Sequence, residues 1–203
     1  MSGAVLRMLL NIRSTAPLVK EKKMRADAQK NYDHLLAVAR AVLEQEGADA
    51  SLRDIARRAD VGLGTLYRHF PTRDALFEAL LRDSFDALAV EAGALLAAPK
   101  PGDALVAWLR ATVAMAHALR GVIAPMVAAI DAPDSALHAS CVAMKAAGTR
   151  LLVRAQADGV ARQDVDGADL FALVGALAWL GDQPALAPRA DHLFNLVSGA
   201  LLA

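Results

Sequence analysis

Two features of the sequence predict an all-α protein with about nine helices. The 203 residues are 56% hydrophobic but only 4% aromatic, so Ala, Leu and Val dominate the apolar content, as is typical of packed helices. Apolar residues recur at helical spacing between Gly and Pro residues, and almost no segment alternates with a period of two. We therefore expect an N-terminal unit of three helices followed by a larger helical domain.

The first two helices are predicted from an apolar stripe and a polar start. Residues 31–46 carry apolar side chains at the spacing of a helix with one buried face, and Gly47 ends that helix. Ser51 stands three residues before Asp54, a spacing similar to that of a capping box. A short second helix is therefore expected over residues 52–59.

Gly and Pro residues place the starts of the later helices. Gly62 permits a third helix over residues 63–70, and Pro71 with Thr72 as N-cap opens a longer fourth helix. The segment 99–102 then breaks the pattern, and five further apolar-striped helices follow. These are expected at residues 103–120, 122–131, 134–158, 167–181 and 189–202.

Charge and cysteine content restrict the partners and the compartment. The net charge is zero, but residues 20–73 hold 11 Lys and Arg against 8 Asp and Glu, so the N-terminal third is locally basic. The single cysteine, Cys141, cannot form an internal disulfide, which fits a reducing compartment. No apolar run reaches the length of a membrane span, and the apolar patch within residues 1–19 is too weak for a signal peptide. We expect a cytoplasmic protein with no membrane partner.

Residues 51–70 carry the pattern of a helix-turn-helix. Two helices of about two turns each are joined by a short turn, and Ala56 is small enough for the helices to cross closely. Ile55, Leu66 and Phe70 are expected to point inward. Such a pair exposes the first turns of its second helix, whose diameter fits the major groove of B-DNA.

The run Thr65-Leu66-Tyr67-Arg68-His69-Phe70, followed by Pro71-Thr72-Arg73-Asp74-Ala75-Leu76, resembles the signature of the TetR family. The resemblance covers residues 25–80. Asp60 departs from it, because the family usually has Gly in the turn. Asp tolerates a left-handed backbone better than most residues, so we expect a modest cost in stability and an intact motif. The resemblance implies a dimeric transcription regulator that binds double-stranded operator DNA.

The resemblance also implies which residues contact DNA. Arg68 could read guanine with its bidentate fork, and Leu63 could touch a thymine methyl group. Hydroxyls, rings and charges at the starts of the helices would contact phosphates. Three simpler alternatives stay open: Tyr67 packs on the first helix, His69 caps the third helix, and the arginines form an ordinary solvated face. The expected DNA contacts are Lys30, Asn31, Ser51, Arg53, Gly62, Leu63, Thr65, Tyr67, Arg68, His69, Thr72 and Arg73, with Arg25 as a further minor-groove or backbone contact.

The C-terminal two-thirds suggest a dimer interface and an effector pocket. The last two predicted helices are apolar around much of their surface, and Gly175 and Gly199 would allow close approach; the alternative is burial inside one subunit. The expected interface residues are Leu170, Phe171, Val174, Leu177, Leu193, Phe194, Val197 and Leu201. Adaptable Met and aromatic residues suit a small apolar effector, although such residues also make ordinary core. The expected pocket residues are Trp108, Met115, His117, Met126 and Met144.

No cofactor, metal site or enzymatic activity is expected. His138 and Cys141 lie one helical turn apart, but no third ligand is spaced to complete a metal site. The sequence suggests no Ser-His-Asp or Cys-His arrangement, and no Gly-rich phosphate loop follows a strand.

The sequence therefore predicts an N-terminal arm over residues 1–24, flexible or preceding the true start, a DNA-binding domain over 25–72, and an effector-binding and dimerisation domain over 73–203. The predicted function is a ligand-responsive repressor of a palindromic operator. The alternative is a helical ligand-sensing protein that acts as an activator or does not bind DNA.

Overall fold

Nine α-helices make up most of the part of the chain that the computed structural model describes, which is the backbone of residues 16–202 and the side chains of residues 28–202. The predicted all-α fold is thus confirmed, and most predicted helix bounds lie within two residues of the observed ones. The helices are α1 Ala16–Glu46, α2 Leu52–Arg58, α3 Leu63–His69, α4 Arg73–Leu95, α5 Pro101–Ala118, α6 Arg120–Asp131, α7 Ala136–Ala157, α8 Gly167–Asp182 and α9 Ala190–Leu201, with a 3₁₀ turn at Ala187–Arg189.

Helix α1 begins at Ala16, well before the predicted start at residue 31. Its first half is rich in Lys and Ala, which favour helix, and it has no apolar stripe. A periodicity argument therefore does not detect this segment. Residues 16–24 of the predicted arm are helical, and residues 1–15 lie outside the described part of the chain.

The N-terminal unit, α1 to α3, is built around a small apolar core. Leu35 of α1, Ile55 of α2, and Leu66 and Phe70 at α3 are almost completely buried. Ser51 caps α2 by accepting a hydrogen bond from the backbone N–H of Arg53 at 3.2 Å. This core and its caps fix the angle at which α3 leaves the body of the protein.

The turn between α2 and α3 has the geometry predicted for it. Asp60 has φ of 53°, in the left-handed region, and is the non-glycine residue with positive φ among those described. Its N–H donates to the carbonyl of Arg57 at 3.2 Å, and the N–H of Val61 donates to the carbonyl of Ala56 at 3.0 Å. The turn is therefore closed by backbone hydrogen bonds, although aspartate replaces the expected glycine.

Helix α4 connects the N-terminal unit to the C-terminal domain, α5 to α9. Its first turn is capped by Thr72, whose hydroxyl accepts from the N–H of Ala75 at 3.0 Å. Further along, α4 packs against α7 and α5, and Trp108 fills the centre of this core with its indole N–H donated to the carbonyl of Leu88 at 2.9 Å. One continuous helix thus spans both parts of the protein.

Helices α5 and α6 are separated by a sharp bend of 96° at Leu119. Within the described residues, no single helix combines the length and apolar character needed to cross a membrane. Taken together, α5 and α6 are long and apolar enough for such a span, but they are bent against each other.

Candidate nucleic-acid interface

Helix α3 presents a polar face to solvent. Leu66 is completely buried and Phe70 is 2% exposed, so that side of α3 packs on α1 and α2. On the opposite side Tyr67 is 45% exposed, and Arg68 is also exposed. Because one face is anchored and the other is free, α3 is presented as a recognition helix requires.

Five of the predicted DNA-contacting residues line one shallow depression of about 450 Å³. It lies between the start of α2 and the first turns of α3, and Asp49 and Leu52 complete its wall. A depression with hydroxyl, phenol and guanidinium groups at its rim can seat a phosphate of the DNA backbone. The five predicted residues are Ser51, Arg53, Leu63, Tyr67 and Arg73.

Among the described side chains, Arg53 of α2 and Arg68 of α3 have guanidinium groups with no ion pair or hydrogen bond. Arg57 is paired with Asp54 at 3.3 Å, and Arg58 is held by Gln45 and Glu46. Those two guanidinium groups are partly neutralised within the protein. The free positive charge of the helix-turn-helix is thus concentrated on α3 and at the start of α2, where DNA would lie.

Arg73 faces the protein backbone. Its guanidinium donates to the carbonyl of Ala48 and, at 3.0 Å, to the carbonyl of Ala50. These carbonyls belong to the α1–α2 turn, residues 47–51. Arg73 therefore ties the start of α4 to that turn, in addition to lining the depression, and its charge is partly used inside the protein.

The His69 ring packs on α1. It lies 5.9 Å from the ring of Tyr32 in an edge-on arrangement, and Tyr32 in turn lies 5.2 Å from Phe70. His69 is half-buried, so part of its ring stays accessible, and the predicted phosphate contact remains a prediction. Burial raises the pKa of the Tyr32 hydroxyl. The sequence did not identify Tyr32 as part of this site, because a contact between α1 and α3 leaves no local pattern.

The remaining predicted DNA contacts lie on α1 and at the starts of α3 and α4. Lys30 and Asn31 are exposed on α1, Thr72 is exposed at the start of α4, and Gly62 and Thr65 lie at the start of α3. The side chain of Arg25 lies outside the described residues.

The residues predicted for an effector pocket are not gathered around one cavity. Trp108, Met126 and Met144 are buried in the core, and Met115 is half-buried. The exception is His117, which lines a cleft of about 310 Å³ between α5, α8 and α9. Met and Trp at helical spacing thus mainly fill the core, the alternative noted above, since spacing does not distinguish a filled core from a cavity.

Five of the eight residues predicted for a dimer interface are buried within their own subunit, which is the alternative noted above. They pack on α5 and α7 or between α8 and α9. The buried residues are Leu170, Val174, Leu177, Phe194 and Leu201, whereas Phe171, Leu193 and Val197 are half-buried. The large apolar side chains that face solvent on α8 and α9 are instead Trp179, 59% exposed, and Leu196, 56% exposed.

Neither His138 nor Cys141 has the surroundings of a metal ligand. The Nδ1 atom of His138 lies 2.8 Å from the carbonyl of Ile130, and Cys141 is buried as a free thiol whose pKa is raised by burial. Among the described residues, no three His, Cys, Asp or Glu side chains are grouped to hold a metal ion.

The sequence matches two models of known protein families. Residues 35–80 match the family model described as bacterial regulatory proteins, tetR family, and residues 100–201 match the model described as the C-terminal domain of SbtR-like transcriptional regulators. The second match alone spans half of the chain. The chain belongs to the TetR family. It is accordingly a DNA-binding transcriptional regulator with a helix-turn-helix.

Solved structures of TetR proteins superpose on most of the chain. A TetR transcriptional regulator from Streptomyces coelicolor is 37% identical with a TM-score of 0.69, covering 84% of this chain and 98% of that one. A TetR regulatory protein from Mycobacterium vanbaalenii is 33% identical with a TM-score of 0.66, covering 89% and 99%. An HTH-type transcriptional regulator of Staphylococcus aureus is 38% identical over 80 residues, which is 38% of this chain and 41% of that relative.

In this TetR family member the sequence did not indicate two contacts that tie α1 and the α1–α2 turn to later helices. Arg40 of α1 donates to Ser84 and to Asp83 of α4, both at 2.9 Å. Gly121, at the start of α6, lies so close to the α1–α2 turn that a Cβ atom there would be 2.9 Å from the Cβ atom of Ala48. The start of α6 therefore touches the same turn whose carbonyls Arg73 binds.

Adding a methyl group at this contact is expected to disturb DNA binding more than folding. Gly121→Ala should push the α1–α2 turn away from α6 and weaken operator binding several-fold, because the helix-turn-helix is displaced relative to the C-terminal domain. Ala48→Gly in the same chain removes the facing Cβ and should restore most of the affinity. Titration of a labelled operator measures both variants.

Gly93→Ala is the matched control, because no atom lies within 4 Å of the Cβ position at Gly93. Equal operator affinity for Gly121→Ala and Gly93→Ala would show that the contact does not position the DNA-binding unit.

Proposed function

We propose that this protein is a homodimeric repressor that binds a palindromic operator and responds to a small effector. The observation that carries the proposal is the free face of α3, where Tyr67 and Arg68 are exposed while Leu66 and Phe70 anchor the other face. A recognition helix of this kind reads one half-site. Useful affinity requires two such helices, so the operator is expected to be an inverted repeat with half-sites spaced by about one helical turn or a multiple of it.

A second copy of the chain is proposed to dock on α8 and α9. Trp179 and Leu196 expose apolar surface there, and the Cβ positions at Gly175 and Gly199 face open space, so a partner helix can approach closely. Trp179 lies one turn after Gly175 on α8, and Gly199 lies one turn after Leu196 on α9. Each exposed face thus sets one small residue beside one large residue, which allows a partner side chain to fit between them.

Effector control is proposed to act by population shift. An effector that binds better when the two α3 helices are wrongly spaced lowers the fraction of protein able to hold both half-sites. Bound at a promoter, the dimer would exclude the polymerase. The C-terminal cleft beside the α5–α6 bend supports this arrangement, because that bend adjoins the contact between Gly121 and Ala48.

Selection from a pool of random duplexes tests the proposal. Full-length protein should enrich an inverted repeat, and binding should weaken steeply as salt rises, because phosphate contacts release counterions. Enrichment of no motif, or binding that does not depend on salt, would contradict the proposal.

Trp179→Glu tests whether α8 forms the dimer interface. The charge is placed on the exposed face of α8, so the subunit should fold normally but lose its partner. Light scattering should report a monomer, and footprinting should show much weaker protection of the inverted repeat. A variant that remains dimeric would exclude α8 as the interface.

A further inference from the structure

The cleft between α5, α8 and α9 has apolar walls and one cationic end. Its volume is about 310 Å³, within the range of small-molecule sites. Arg110 and Asp191 lie at one end of the cleft and His117 lies at the other. Arg110 and His117 both belong to α5 and are separated by about 10 Å along that helix. The apolar wall between them is formed by Val113, Ala114, Leu177, Ala187, Ala190 and Phe194.

The guanidinium of Arg110 is held in place independently of its ion pair. It stacks over the ring of Phe194, 4.1 Å from the ring centroid, and its Nη2 donates to the Oδ1 atom of Asn195 at 2.7 Å. Phe194 is itself buried, so the stack has a rigid base. A planar guanidinium fixed in this way presents its remaining donors in a constant direction.

Asp191 occupies one of those donors and is easily displaced. Its Oδ1 atom lies 2.9 Å from Nη1 of Arg110, but 92% of its side chain is exposed. Exposed ion pairs of this kind contribute little to stability, so another carboxylate can replace Asp191 at small cost. The Asp191 carboxylate therefore marks a position at which Arg110 can bind the carboxylate of a ligand.

The opposite end of the cleft offers no comparable charge. The Nδ1 atom of His117 lies 2.8 Å from Oδ1 of Asp182, although the two atoms are not aligned for a hydrogen bond. The same oxygen lies 3.1 Å from Nε of Arg120. Because Asp182 is already paired with Arg120 and does not line the cleft, it is a poor anchor for a cationic ligand, and Arg110 remains the replaceable contact of the cleft.

We infer that the cleft binds a small carboxylate with an apolar chain, whose carboxylate replaces Asp191 on Arg110 and whose chain lies along the apolar wall towards His117. Binding at the cleft does not require the protein to be a repressor. Its regulatory consequence rests on the proposed function: His117 ends α5 just before the bend that leads to Gly121, so a filled cleft adjoins the contact with the α1–α2 turn.

Octanoate and octan-1-ol, which share an apolar chain and differ in charge, are the probes. Calorimetry on the full chain should show saturable octanoate binding and at least tenfold weaker binding of octan-1-ol. Arg110→Gln should weaken octanoate binding at least tenfold, and Asp191→Asn should strengthen it, because the internal competitor is lost.

Arg150→Gln and Asp134→Asn remove exposed charges that do not line the cleft, so these variants should leave octanoate binding unchanged. The inference is overturned if octanoate does not bind at millimolar concentration, if octan-1-ol binds equally well, or if the Arg110 and Asp191 variants behave like these controls. Circular dichroism confirms that each variant is folded.

Operator titration with and without octanoate separates this inference from the proposed function. Octanoate binding that depends on Arg110 but leaves operator affinity unchanged would support the carboxylate site and contradict ligand control of DNA binding. Loss of operator affinity in wild type but not in Arg110→Gln would support both.

Discussion

Replacing Arg68 with alanine is expected to relax the choice of base at one position in each half-site and to weaken operator binding by about 1–3 kcal/mol, or roughly fivefold to 150-fold. Arg68 is exposed on α3 and has no hydrogen-bond partner among the described side chains, so its loss should not affect folding. Titrations against the selected operator and its single-base variants measure the effect.

Tyr67→Phe is the matched comparison on the same face of α3. Removing the phenol should weaken binding evenly across sequences, because a phosphate contact positions the protein without reading bases. Arg150→Ala, a change of charge in the C-terminal domain, should alter neither operator affinity nor base preference. An unchanged base preference in Arg68→Ala would contradict the assignment of base readout to this residue.

Gly148→Ala is expected to destabilise the C-terminal domain more than any other single methyl group added at a helical glycine. A Cβ atom at Gly148 would overlap the ring of Trp108, which is completely buried. The ring cannot move aside without breaking its hydrogen bond to Leu88 and its edge-on contact with Phe171, whose centroid lies 5.9 Å away. Overpacking of this kind costs about 1–3 kcal/mol.

Thermal and urea unfolding measure this effect. Gly93→Ala, which meets open space in α4, should leave stability unchanged or raise it, because alanine favours helix more than glycine does. Equal melting temperatures for wild type and Gly148→Ala would show that the core around Trp108 is looser than described.

The helices and the exposed face of α3 could be predicted from the sequence because both are specified locally. Ser51 and Thr72 cap helices through their own side chains, Asp60 tolerates the left-handed turn, and Leu66 and Phe70 repeat at helical spacing. Each of these signals lies within a few residues of the structure that it determines.

Features that depend on contacts between distant segments could not be predicted. Arg73 donates to carbonyls in the α1–α2 turn, His69 packs on Tyr32, and Gly121 touches Ala48, yet no local pattern identifies these partners. Apolar spacing likewise shows that one face of α8 is buried but not whether its own subunit or a partner covers it. Leu170 and Phe194 were therefore predicted at an interface and lie in the core.

Methylation interference on the selected operator tests the central claim most directly, namely that α3 enters the major groove through its Tyr67 and Arg68 face. Methyl groups at guanine N7, in the major groove, should block binding in two clusters on one side of the duplex, separated by about one helical turn or a multiple of it. Interference confined to adenine N3 in the minor groove, or absent from both grooves, would contradict the account.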